Sequence, residues 1–123
     1  MDEMEHDILS DPAFVRLVAE REAELARVKR DHKVAHLGTV LQMYREDAGL
    51  TRAELSERSG VKLETIYLLE RQLLTFDEIT LEMLQALVKP LRLNVLILAA
   101  AGEFSVGEFK RDTQPATWRR SDS

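Results

Sequence analysis

Cysteine is absent from the 123 residues, which excludes disulfides and thiolate-metal sites and fits a reducing cytoplasm. Glycine and proline are scarce, at five and three, so each is a strong marker of where a helix starts or stops. No run of about 18 apolar residues occurs, and a membrane-spanning helix is not expected. The acidic N-terminus also lacks the charged and apolar regions of a signal peptide, and the chain is read as soluble and intracellular. A basic excess is missing as well. The formal net charge is -5, and none of the segments 1–34, 35–101 and 102–123 is basic overall. Any contact with phosphates must come from local placement of Arg52, Arg58, Lys62 and Arg71 on one face, with acids turned away. Catalytic signatures are lacking too. There is no Gly-x-Ser-x-Gly, no His-Glu-x-x-His and no glycine-rich phosphate loop, so no enzyme and no cofactor are expected.

What is present is the stretch Gly49 to Gln72, which predicts two short helices and a tight turn. Thr51 and Glu54 have the spacing of a capping box, each side chain reaching the other's backbone amide. Leu50, Ala53 and Leu55 supply a buried face, Gly60 takes the left-handed conformation after a helix ending at Ser59, and Val61 re-enters the core. A second helix from about Lys62 to Arg71 buries Ile66 and Leu69. Leu63, Glu64, Tyr67, Leu68 and Arg71 lie on its other sides.

Residues 1–10 are acidic and polar, with Ile8 and Leu9 as the only anchors, so a frayed start is expected. Asp11 and Pro12 open a helix that carries Phe14, Leu17, Val18, Leu25 and Val28 at three- and four-residue steps and runs to about Lys33. Its apolar stripe needs a partner surface, either its own domain, a second protomer or another protein. The next helix, Val34 to Ala48, buries Leu37, Val40, Leu41 and Tyr44 and stops at Gly49. His32 and His36 have an i, i+4 spacing that metals use, but with no third ligand nearby they are read as solvated, and no metal is expected. Leu73 to Ile79 is an apolar loop. Thr80 then caps a helix with Leu81, Leu84, Leu87 and Val88 on its core face, ended by Pro90. Leu91 to Ala99 alternates at first and is β-branched in the middle, which predicts a strand. A lone strand leaves its backbone unpaired, so a second copy is expected to complete a sheet through Leu93, Val95, Leu96, Ile97 and Leu98. Trp118 beside Arg119 and Arg120 is a combination that stacks on nucleic acid; the plainer alternative is an inert aromatic in a flexible tail spanning 110–123.

In Leu50, Thr51, Leu55, Gly60, Val61, Ile66 and Glu70 the chain resembles the Cro/repressor-like (XRE) helix-turn-helix family. The resemblance extends to Arg45, which stands where that family carries an arginine paired with the glutamate at the Glu70 position. It implies a mainly α, five-helix lambda-repressor-like helix-turn-helix domain, here with an N-terminal helix extension and a C-terminal strand. The expected division is 1–34 for the extension, 35–90 for the DNA-binding domain, 91–109 for dimerisation and 110–123 for the tail. Three positions depart from the family pattern. Lys62 replaces a Ser/Thr cap, Arg52 a glutamine, and Gln72 a glycine that ends the recognition helix.

The expected function is sequence-specific binding of an operator in double-stranded DNA by a homodimeric transcriptional repressor. Arg52, Lys62 and Arg71 would position phosphates. Leu63, Glu64 and Leu68 stand where that family tends to place polar base-reading side chains, so the resemblance implies that they would face bases, with Tyr67 beside them. Leucine touches a thymine methyl and glutamate accepts from cytosine N4, but neither makes a bidentate contact to a purine. The layout of residues 9–99 also resembles HigA-type antitoxins, in the Asp11-Pro12 helix with Glu24, Leu25 and Ala26 and in Leu84-Gln85 before the closing segment. That resemblance implies autorepression and neutralisation of a RelE-like ribonuclease toxin. The contrasting expectation is a protein-binding module, a toxin neutraliser or interaction adaptor, whose helix-turn-helix no longer reads DNA.

Overall fold

The computed structural model describes residues 3–27, 32–113 and 116–120. Among the described residues seven α-helices follow in order: α1 (Glu3–Leu9), α2 (Pro12–Arg27), α3 (His32–Asp47), α4 (Arg52–Ser59), α5 (Leu63–Glu70), α6 (Leu81–Val88) and α7 (Val95–Ala101). Short 3-10 turns stand at Phe76–Glu78 and Val106–Glu108. Among the described residues there is no strand, and extended pairing is confined to single bridges between Val61 and Arg119 and between Thr80 and Lys110. Val28, Lys29, Arg30 and Asp31, the side chain of His32, and 114–115 and 121–123 of the expected tail lie outside the described residues.

The helix boundaries follow local chemistry. Asp11 accepts from the amide of Ala13 at 3.3 Å and Pro12 begins α2. Thr80 accepts from the amide of Met83 at 3.2 Å to open α6, which stops at Val88 ahead of Pro90. The core gathers Leu37 and Leu41 of α3, Leu55 of α4, Ile66 and Leu69 of α5, and Met83, Leu84 and Leu87 of α6, all fully buried. Leu73 and Leu74, in the apolar loop, are buried beneath these helices.

The expected strand is a helix. Val95 to Ala101 form α7, and the chain enters it through Asn94, whose side chain accepts from the amide of Leu96 at 2.8 Å. Val95 and Ile97 carry the β-branched signal, but the segment closes on Ala99, Ala100 and Ala101, the residue with the best helix propensity. A helix also satisfies its own amides and carbonyls, where a single strand would need a partner. Packing decides the outcome. α7 lies against α3 and α6, with Leu98 and Ala99 buried, whereas Leu96 and Ile97 remain 58% and 47% exposed. No strand is therefore available for a sheet through Leu93, Val95, Leu96, Ile97 and Leu98; from Val95 on the segment is a helix with an apolar outer edge.

The chain beyond α7 wraps back over the domain. Phe104 and Phe109 are buried and cluster with Phe76, the three ring centroids lying 5.0 to 5.6 Å apart. The carbonyl of Lys110 accepts from the amide of Leu81 at 2.9 Å. The segment read as a flexible tail is anchored too: Trp118 is buried and its indole donates to Asp112 at 3.1 Å.

Gln72, which stands at the family's glycine position, adopts φ 64. It follows α5 in the left-handed conformation that lets the amide of Leu73 reach the carbonyl of Leu68 at 2.7 Å. A side chain there costs about 1 kcal/mol. Its amide recovers part of that by donating to Thr39 at 3.1 Å in an exposed bond. Gln72→Gly is expected to stabilise the fold by roughly 0.5 kcal/mol. Urea denaturation checks this, and a lower midpoint would show that the bond to Thr39 outweighs the backbone strain.

Candidate nucleic-acid interface

Helices α4 and α5 form the helix-turn-helix. Glu54 donates its amide to the Thr51 hydroxyl at 3.1 Å, and the Glu54 carboxylate accepts from the Thr51 amide at 2.9 Å, so the capping box is complete. Gly60 has φ 78, the left-handed turn that frees the chain from α4. Ser56 then fixes the turn from inside, its buried hydroxyl donating to the carbonyl of Val61 at 2.6 Å. Outside, the C-terminal segment acts as a strap. The amide of Lys62 donates to the carbonyl of Trp118 at 2.8 Å, and that of Arg120 to the carbonyl of Gly60 at 2.8 Å. Thus Arg119 and Arg120 border the turn, with the Arg119 guanidinium over the Trp118 ring at 4.9 Å.

An internal ion pair sets the angle between α3 and α5. Arg45 donates Nε to Glu70 Oε2 at 2.7 Å and Nη2 to Oε1 at 2.9 Å, with both residues buried. Its remaining nitrogen, Nη1, reaches the carbonyl of Leu50 at 2.8 Å, tying in the start of the motif. Burial pushes the Arg45 pKa down, and the hydrogen bonds and charge of Glu70 outweigh it to leave the guanidinium above its ordinary value.

The residues assigned to DNA are only partly free. Lys62 is half-buried at the N-terminus of α5 without capping it, and Arg71 is exposed at the other end. Glu64 and Tyr67 are half-buried between them. Leu63 and Leu68, assigned to bases, are turned into protein, with 3% and 6% exposure. Arg52 is already engaged. Its Nε donates to Glu70 at 2.9 Å, its Nη1 to Glu5 at 3.2 Å, and its guanidinium stands 5.3 Å from the Tyr67 ring. Arg71 lies 5.8 Å from the same ring.

The N-terminal helices account for this engagement. The expected frayed start is the helix α1, packed against both α4 and α5, with Glu5 as its buried carboxylate. Phe14 of α2 is buried with its ring edge-on to Tyr67 at 5.7 Å. Further along α2, Arg21 clasps Glu78 through two bonds of 2.7 and 2.6 Å and reaches the carbonyl of Leu73 at 3.1 Å. Burial pushes the Glu78 carboxyl up, but Arg21 and the amide of Thr75 together hold it below the usual range. The extension helix thus packs on its own domain.

Three contributions escaped the sequence reasoning. Glu5 sits in an acidic stretch that nothing in the pattern sets apart, and Trp118, singled out only for stacking on nucleic acid or as an inert aromatic, is instead buried over the turn from a tail with no periodicity. Gly38 did carry a signal, because an isolated glycine inside a helix usually has a packing reason. It lies where α3 meets the backbone of α5, so close that an added Cβ would stand 2.1 Å from the carbonyl oxygen of Leu69.

His36 is exposed, and among the described residues no group of three His, Asp or Glu side chains is placed to hold a metal. No described helix is long and apolar enough to cross a membrane. Comparison with known proteins finds no match to the chain among curated proteins or solved structures. The helix-turn-helix family model, of the XRE kind, matches residues 41–98, from the middle of α3 through the capped turn and α5 to the core side of α7.

Proposed function

We propose that this protein is a DNA-binding transcription regulator, a non-enzymatic repressor of the cytoplasm that needs no cofactor. The observation that carries the proposal is the capped, ion-paired α4–α5 unit inside the segment matching the helix-turn-helix family. Lys62 and Arg71 at the two ends of α5 are its phosphate contacts, and Glu64 and Tyr67 offer polar atoms to base edges. A homodimer is part of this proposal, because one acidic protomer with few free cations binds weakly. The exposed Leu96 and Ile97 of α7 supply an apolar edge for a second copy. The antitoxin role and a RelE-like partner rest on the sequence resemblance alone.

The test is a salt titration against a pseudo-palindromic duplex from the DNA upstream of the gene, with half-sites about 34 Å apart, and against a scrambled duplex. Wild type is expected to prefer its own sequence by at least about a thousandfold near 100 mM salt. Lys62→Ala and Arg71→Ala should weaken both complexes and flatten the salt slope. Absence of any preference would end the repressor proposal. A protein-binding module would then take its place, a reading that the cover of α1 and α2 over α5 favours.

A further inference from the structure

Two helices cannot occupy one major groove. An α-helix with its side chains is about 10–12 Å across, and the major groove of B-DNA is about 12 Å wide. α5 enters the groove alone or not at all. In this structure α1 packs on both α4 and α5, and the start of α2 brings Phe14 against Tyr67 at 5.7 Å. Asp7, Ile8, Ser10, Asp11, Pro12 and Phe14 form one wall of a cleft whose other wall is Glu64. The outer surface of the helix-turn-helix therefore already has an occupant, and the occupant is acidic.

The charges make the same point. Arg52 is the first residue of α4, a position where a cation and the helix N-terminus both favour a phosphate. Its guanidinium is instead shared between Glu70 at 2.9 Å and Glu5 at 3.2 Å. Glu70 belongs to the internal ion pair, whereas Glu5 comes from outside the motif and is only 4% exposed. A carboxylate from the chain's own N-terminus stands on a cation suited to the DNA backbone. Asp7 and Asp11, close by, would repel an approaching duplex.

We propose that residues 3–18, α1 and the first turns of α2, are an autoinhibitory arm that competes with DNA for the outer face of α5 and must leave before the duplex can enter. This inference rests on the DNA-binding function proposed above. The arm is built to leave. α1 has seven residues, too few to be a stable helix alone, so its order depends on the surface it covers. Arm and duplex take turns on Arg52 and Tyr67, and the apparent affinity for DNA falls by the fraction of molecules with the arm in place.

The test uses the full chain and a duplex of upstream DNA at about 100 mM salt. Glu5→Gln, Phe14→Ala and the double variant are compared with wild type and with Glu22→Gln, an exposed site on α2 that matches the charge change away from the face. The double variant is expected to bind at least tenfold more tightly than wild type and Glu22→Gln. Hydrogen exchange of wild type gives a second measure that needs no variant: α1 amides should lose protection on addition of the duplex while those of α5 keep it. Equal binding by wild type and double variant, with α1 still protected in the complex, would overturn the arm and leave DNA binding intact. Failure of wild type and all three arm variants to bind any duplex would overturn the arm together with the function beneath it.

Discussion

Gly38→Ala is expected to destabilise the protein by about 3 kcal/mol, although the same change in a free helix would stabilise it by about 1 kcal/mol. The sign reverses because of what faces the residue. An added Cβ would stand 2.1 Å from the carbonyl oxygen and 3.2 Å from the carbonyl carbon of Leu69. These are backbone atoms, so no rotamer change relieves the clash, and α3 and α5 must separate by more than an ångström or tilt. Either movement strains the two hydrogen bonds between Arg45 and Glu70, which join the same two helices. Gly102 provides the contrast, since a Cβ there would meet side-chain atoms of Leu37 at 3.1 Å. Those contacts are tight by only a few tenths of an ångström, against a full clash at Gly38, so Gly102→Ala should be the milder change. Urea denaturation of both variants checks this, and the thermal midpoint of Gly38→Ala should fall by more than 10 °C or so. A Gly38→Ala protein as stable as wild type would show that α3 and α5 are not in backbone contact.

The parts of this fold that were legible in the sequence are those set by local chemistry. Thr51 and Glu54 are three residues apart and meet at one helix end; Gly60 supplies a conformation few other residues accept; Pro90 cannot continue a helix. Each rule involves neighbours in the chain and works whatever the rest of the protein does. The segment Val95 to Ala101 was not legible in this way. Its β-branched residues argue for a strand and its alanines for a helix, and the choice falls to burial of Leu98 and Ala99 against α3 and α6. Long-range placement was hidden for the same reason, apart from the Arg45–Glu70 pair, which the family resemblance supplied. Glu5 meets Arg52 across 47 residues and Trp118 closes over the turn at Lys62, and nothing in local periodicity points from one to the other.

The face of α5 shows where the site itself was and was not legible. Helical spacing put Leu63, Glu64, Tyr67, Leu68 and Arg71 on the sides of α5 away from Ile66 and Leu69, the family resemblance turned Leu63, Glu64 and Leu68 toward bases, and for Arg71 the exposure agrees. Leu63 and Leu68 are covered instead. Their apolar character, out of place on a base-reading surface, fits a surface that packs on protein. The lack of bidentate base contacts and the covered face are then two aspects of one arrangement, in which α5 packs against the N-terminal helices.

Arg45→Ala carries the other large expected effect, a loss of about 3 to 5 kcal/mol. The arginine satisfies two oxygens of Glu70 and the carbonyl of Leu50 at 2.7 to 2.9 Å, so its removal leaves a buried carboxylate and a carbonyl short of donors. Arg52 still reaches Glu70, but through one nitrogen at 2.9 Å, and it is shared with Glu5. That residual partner should place Arg45→Ala at the lower end of the range. Arg45→Lys keeps the charge, yet an ammonium cannot reproduce a planar fork that bonds two oxygens and a carbonyl at once, so it should fall between wild type and the alanine variant. Replacing both partners tests the physical reason for the loss. Arg45→Met with Glu70→Leu removes the buried charges together and avoids their desolvation, so the double variant should be more stable than Arg45→Ala despite carrying one more substitution. Denaturant unfolding of the four proteins decides the matter. A loss below about 1 kcal/mol for Arg45→Ala, the level of an exposed ion pair, would mean that water reaches Glu70 and that the angle between α3 and α5 is set by packing at Gly38 instead.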